Sequence, residues 1–145
     1  MVSSASGAEI IFWDFTKLKV LKREKANAWI IYNAKFVEGT NYIATGQSNG
    51  QLRLYGNISF RVQAETPALK TWSRATAFNW THPSLKNVMY QGYEDGIIRE
   101  WNFDPETKQF KRGFEEWGHL DAIRDIIPIP EYDLLISTSR VLVLL

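Results

Sequence analysis

The chain has 145 residues, no cysteine, two histidines and a net charge of +1 from 17 basic and 16 acidic side chains. That length suits one ordinary domain. The lack of cysteine excludes disulfide frameworks, thiolate zinc centres and cysteine nucleophiles together, and near-neutrality leaves no electrostatic footprint for nucleic acid.

The opening residues, MVSSASGAEII, lack the basic n-region and apolar core of a secretory signal. No apolar run approaches the roughly 20 residues of a membrane-spanning helix, so the expected compartment is the cytoplasm or nucleus. Aromatic residues make up 14% of the chain, six of them Trp, and such rings suit a half-buried pleated surface.

The first predicted strand, EIIFWD (Glu9–Asp14), alternates apolar residues and ends near Trp13. The basic stretch KLKVLKREK (Lys17–Lys25) interleaves cations with Leu and Val; it reads as an outer strand guarded against pairing rather than as a nucleic-acid patch. Then come a strand with a polar turn (Ile30–Thr40), a short strand NYIATG (Asn41–Gly46), a tight turn SNG (Ser48–Gly50) and QLRLYG (Gln51–Gly56). The same order returns as RATAFNWTHPS (Arg74–Ser84), NVMYQG (Asn87–Gly92), EDG (Glu94–Gly96) and IIREWN (Ile97–Asn102). A third copy starts at GHLDAIRDIIPIPEYD (Gly118–Asp133) and runs into LLISTSR (Leu134–Arg140). Asp-Gly between apolar runs is a strong hairpin signal, because the turn needs residues that tolerate positive φ. The aromatic anchors Trp13, Tyr55 and Trp101 are 42 and 46 residues apart, and Phe36, Trp80 and Pro128 fall 44 and 48 apart.

This pattern resembles a run of WD-repeat (WD40-type) units, the four-stranded blades of a β-propeller, whose period is roughly 40–45 residues. The resemblance covers nearly the whole chain. It implies an all-β fold, a partial propeller of four-stranded antiparallel blades, about three in number, with the ring incomplete. The blades would fall in a single domain as a blade end at 1–25, blades at 26–65 and 66–113, and an incomplete blade at 114–145.

In that family the turn Asp, the His of a Gly-His pair, a Ser/Thr on the second strand and the Trp form a hydrogen-bonded set. The resemblance carries this set over incompletely. One copy has Asp95 and Trp101, with Thr71 at the His position and Gln91 at the Ser/Thr position. Another has Thr45 and Tyr55, with Asn49 for the Asp and Asn27 for the His. The last has His119 and Ser137. Each blade is therefore expected to lean on apolar packing.

Propellers close with 4–8 blades, so the chain reads as a piece of a longer propeller. Its VLVLL tail, with Val141 where a turn Asp belongs, reads as the product of a truncated or misread transcript. Open sheet edges of this kind invite self-association.

His119, Asp121 and Asp125 raise a metal site or a general base, but His119 is better explained as the blade histidine. With no Gly-rich phosphate loop and no nucleophile elbow, the sequence calls for no enzyme activity, no metal and no cofactor. FKRG (Phe110–Gly113) resembles a phosphoinositide-binding motif of one propeller subfamily, which makes Lys111 and Arg112 candidates for a lipid phosphate. Lys in place of the motif's first Arg loses a bidentate contact, and an outer strand with a solvated turn explains the stretch equally. Trp29, Trp72 and Trp117 are expected just before first strands, either as rim hot spots or packed between blades. The expected function is a non-catalytic scaffold with other proteins as partners. The alternative is a phosphoinositide-binding propeller at membranes, and a third class is a hydrolase using His119.

Overall fold

A computed structural model describes residues 2–5 (backbone only), 9–25 and 29–140. Asn27, Val141 and the VLVLL tail lie outside the described residues.

The described chain forms thirteen strands: β1 (Val2–Ala5), β2 (Glu9–Asp14), β3 (Lys19–Lys25), β4 (Ile31–Val37), β5 (Tyr42–Gln47), β6 (Leu52–Gly56), β7 (Val62–Glu65), β8 (Ser73–Ala77), β9 (Val88–Tyr93), β10 (Ile97–Asp104), β11 (Gln109–Trp117), β12 (Ile123–Ile129) and β13 (Leu134–Ser139). They pair antiparallel into four sheets in chain order: β1-β2-β3, β4-β5-β6-β7, β8-β9-β10-β11 and β12-β13. The arrangement is all-β and that of a partial β-propeller, and no sheet closes on itself. No helix among the described residues is long and apolar enough to cross a membrane.

Strand chemistry explains the order within each sheet. β5 is buried along almost its whole length, as a strand covered on both faces must be, and it carries the small Ala44 and Gly46. β3 and β11 are mostly exposed, charged and outermost. The turns before β6 and β10 hold Gly50 and Gly96 at φ +78, a left-handed conformation that glycine adopts without a Cβ penalty.

Successive sheets are held together by burying their facing sides. Ile10 and Phe12 of β2 cluster with Ile31, Ile43 and Tyr55 of the second sheet. Forty-two residues on from Ile10 and Phe12, Leu52 and Leu54 of β6 cluster with Met89, Trp101 and Phe103 of the third sheet. Ala75, Ala77 and Ile98 then meet Ile123 and Ile126 of the fourth. Each large apolar side chain buried this way contributes roughly 1.5–3 kcal/mol.

The backbone also approaches closely between sheets. A Cβ on Gly50 would lie 2.5 Å from the carbonyl oxygen of Thr71, and one on Gly96 would lie 2.3 Å from that of His119. The tight turn of each sheet thus rests against the lead-in to the next sheet.

Two sequence expectations shift. Lys35 pairs with Ala44, Ala77 with Tyr90 and Ile127 with Ile136. The partners Ala44, Tyr90 and Ile136 recur every 46 residues, so Phe78 rather than Trp80 corresponds to Phe36 and Pro128. Trp80 instead lies beyond β8, stacked on Phe103 at 5.5 Å, and donates its Nε1–H to the Val88 carbonyl at 2.8 Å. In addition, β11 runs through Trp117, which pairs with Ile97. The outer strand therefore extends past the expected limit at residue 113, and Trp117 ends it instead of preceding a first strand.

Gly92 tests the face-to-face packing. A Cβ there would sit 2.3 Å from Ile123 Cγ2, so Gly92→Ala should destabilise the chain by about 1–3 kcal/mol, read from urea denaturation. An unchanged midpoint would contradict the close approach of the third and fourth sheets.

Candidate functional site

The third sheet carries a buried polar relay. Burial of Trp101 takes its indole N–H out of water, so it needs an acceptor. It donates to the Tyr93 hydroxyl at 3.3 Å; that hydroxyl donates to Gln91 Oε1 at 2.5 Å, and Gln91 Nε2 donates to Ser73 Oγ at 2.7 Å. The relay crosses β10, β9 and β8 and ties the sheet together at its buried face. Desolvation pushes the Tyr93 phenol well above the usual tyrosine range, against smaller lowering effects of the Trp101 hydrogen bond and the Arg99 charge.

Asp95 stands outside this relay. It accepts from Arg99 at 3.0 Å, and Arg99 also reaches Glu115 at 2.7 Å and lies 4.5 Å over the Tyr93 ring. Of the residues the sequence groups together, Gln91 and Trp101 are joined, through Tyr93. Thr71 is at the backbone contact with Gly50. Tyr93 and Ser73 were missed, because neither occupies a motif position; their only signal was a polar side chain on a strand whose neighbours are apolar.

The second sheet has no such relay. Tyr55 corresponds to Trp101 but has no N–H to offer; it packs on Phe12 with ring centroids 6.1 Å apart. Thr45 Oγ1 and both amide atoms of Gln47 are buried without a partner. Asn49 turns away to Gln51, donating from Nδ2 to its Oε1 at 2.5 Å and accepting from its backbone N–H at 3.1 Å. Thr45, Asn49 and Tyr55 are thus near one another in sequence without a hydrogen bond joining them. In the fourth sheet His119 and Ser137 do meet, with Nε2 and Oγ 2.7 Å apart.

Antiparallel topology brings the lead-ins to β4, β8 and β12 and the turns before β6 and β10 to one rim. There the Arg74 guanidinium lies 4.2 Å from the Tyr32 ring centre and 4.8 Å from that of Trp72. The two ring centres are 5.8 Å apart with their planes tilted by 30°, and Glu94 pairs with Arg74 from β9's end. Trp29 and Trp72 are each 44% exposed and Leu120, which sequence reasoning did not single out, is 99% exposed. Trp117 is exposed at the end of the outer strand.

At the other end of the first strands, Phe36, Phe78 and Pro128 line an open groove of about 510 Å³ together with Lys35 and Glu38. Among the described residues no group of three His, Asp or Glu side chains is placed to hold a metal ion. Asp121 and Asp125 each accept a hydrogen bond from the backbone N–H of the next residue.

Lys111 and Arg112 do not form one site. They are consecutive on β11, opposite Asn102 and Trp101, so their side chains leave opposite faces of the sheet. Arg112 pairs with Glu115, which also holds Arg99. Adjacent cations in the sequence therefore do not converge on one phosphate.

No protein-family model matches the chain, and no curated protein matches it. Solved structures do. The crystal structure of the computationally designed Ika4 protein is similar with a TM-score of 0.77 at 17% identity, over 96% of this chain and 78% of that one. The designed Ika8 protein gives 0.74 at 17% identity, over 95% of this chain and 39% of that one. A chain of the mitotic checkpoint complex gives 0.74 at 14% identity, over 94% and 40%. These likenesses show the fold.

Removing the central hydroxyl of the relay leaves Trp101 Nε1 and Gln91 Oε1 without it. Tyr93→Phe should lower stability by about 1–3 kcal/mol in chemical denaturation. Because the folded phenol titrates above its unfolded value near 10.0, its contribution is full below that pH and is lost as pH rises beyond it. The alkaline loss of stability should accordingly be shallower in Tyr93→Phe than in wild type. Separately, His119→Ala should cost about 0.5–1.5 kcal/mol by removing the part-buried hydrogen bond to Ser137; equal stability would set that contact aside.

Proposed function

We propose that the chain is a non-catalytic WD-type propeller module that binds other proteins through the rim carrying Trp29, Trp72 and Leu120. The observation that carries this reading is the Tyr32–Arg74–Trp72 cluster. Tyr, Trp and Arg are the side chains enriched at binding hot spots. Here Arg74 is held against both rings and Glu94, so little ordering entropy remains to be lost when a partner covers them. Half-exposed Trp72 and fully exposed Leu120 offer apolar surface on the same rim. The cluster spans the second and third sheets, so the surface exists only when those sheets are packed together.

A structural role for His119 favours the non-catalytic reading over a hydrolytic one, because its Nε2 is engaged by Ser137. Lys111 and Arg112 leave β11 on opposite faces, which speaks against one phosphate site shared by both.

Affinity capture with the purified chain tests the rim, using Trp72→Ala and Leu120→Ser against the control Ile58→Ser. Ile58 is 79% exposed in the β6–β7 turn, at the opposite rim. Proteins held by wild type and by the control should be lost from the rim variants; truncating a hot spot weakens binding by about 2 kcal/mol or more. Identical retention by all four forms would overturn the proposal.

A further inference from the structure

The first and fourth sheets lack complementary strands. β2 corresponds to β6, because Ile10 and Phe12 precede Leu52 and Leu54 by 42 residues and likewise pack on the next sheet. The first sheet, β1-β2-β3, therefore holds a second, third and fourth strand, with no first strand among the described residues. The fourth sheet holds β12 and β13, a first and a second strand, with no third or fourth among them.

Each gap leaves apolar surface open. Phe36 pairs with Ile43, so both face the first sheet, and Phe36 is half exposed where a first strand would cover it. A cavity of about 400 Å³ opens there, walled by Phe12, Phe36 and Ile43. Asn57 lines it in the position that Phe103 takes one sheet later: their N–H groups donate to the carbonyls of Asn41 and Asn87, and each pair repeats after 46 residues. In the fourth sheet Ile126 packs on the third, so Ile127 and its cross-strand partner Ile136 face the other way. Both are half exposed.

β13 also matches the strand that borders β2. β1 sets Val2, Ser3, Ser4 and Ala5 opposite Phe12, Ile11, Ile10 and Glu9. Ala44 lies opposite Leu54; Ile136 follows Ala44 by two repeats of 46 residues, and Phe12 precedes Leu54 by 42. A β13 in that register would set Ile136, Ser137, Thr138 and Ser139 opposite the same four residues of β2. VSSA and ISTS are alike position by position, and β13 has six residues where β1 has four.

We propose that two copies of this chain close a single ring of sheets, β13 of each copy displacing β1 beside β2 of the other. β2 and β3 of one copy then supply the third and fourth strands of the other's fourth sheet. In return β12 lays Ile127 over Phe36 of the second copy. Arg23 shares the open face of the first sheet with Ile11, and it arrives beside Glu116, which shares with Ile98 the face directed at the fourth sheet. Two complete sheets from each copy and two composite ones make six, within the 4–8 that close a propeller. A two-fold axis relates the junctions, so neither copy keeps an open side, and exchange of one strand for a like one costs little.

Sedimentation equilibrium of the purified chain should give a dimer and nothing larger. The chain has no cysteine, so Glu9→Cys combined with Ser139→Cys reports the exchanged register. Residues directly opposed on antiparallel strands lie about 5 Å apart, within disulfide reach. Mild oxidation of that double variant should link two chains on a non-reducing gel, and neither substitution alone should do so. Ile136→Asp should shift the mass to that of a monomer with the circular dichroism unchanged. A monomeric wild type, an open series of larger species, or a dimeric Ile136→Asp overturns the proposal. So does a double variant that stays unlinked or closes on itself as a monomer. Should Ile136→Asp fail to fold, the wild-type mass and the disulfide decide alone.

Discussion

A four-stranded twisted sheet has two faces and can bury neither by itself. Everything else in this molecule depends on that constraint being met by the next sheet along. Leu52 and Leu54 point from β6 toward Met89 and Trp101, and Ile10 and Phe12 point from β2 toward Ile43 and Tyr55. The same contacts set the polar geometry. The turns at Gly50 and Gly96 touch the lead-ins at Thr71 and His119, and through them one sheet positions the rim loop of its neighbour. The Tyr32–Arg74–Trp72 cluster is a consequence, because its members come from different sheets.

Repetition of the backbone does not require repetition of the side chains, and the differences carry the individuality of this chain. Trp101 has an indole N–H and supports a relay through Tyr93 and Gln91 to Ser73; Tyr55 lacks it, and Thr45 and Gln47 go unpaired. Phe103 completes one interface, while Asn57 opens the equivalent one. The fourth sheet holds itself with His119 and Ser137 instead. Apolar burial is common to all three interfaces, and the polar solutions are local.

Much of the fold was legible because it rests on patterns with a direct physical cause: apolar alternation, Asp-Gly and Asn-Gly turns that need positive φ, and aromatic anchors at blade-length spacing. The rest was hidden for equally physical reasons. The connection from first to second strand is longer in the third sheet, from Ala77 to Val88, than in the second, from Val37 to Tyr42, and no residue marks the difference. Counting along the chain therefore put Trp80 where Phe78 stands. A bulge lets β11 continue to Trp117. Lys111 and Arg112 looked like a pair because they are adjacent in sequence, yet strand geometry separates neighbours. The His119–Ser137 contact was anticipated from the family resemblance, whereas Tyr93 and Leu120 belong to no motif and became visible only with the sheets assembled.

The central claim is that the sheets are stabilised by one another. A double-mutant cycle across the second and third sheets addresses it most directly, using Tyr42→Ala of β5 and Phe103→Ala of β10, whose rings lie edge to face at 5.6 Å. Stabilities from urea denaturation should be non-additive, with a coupling energy of about 0.5–1.5 kcal/mol. Strictly additive losses would mean that the two sheets do not rest on each other, and the stacked arrangement would have to be given up.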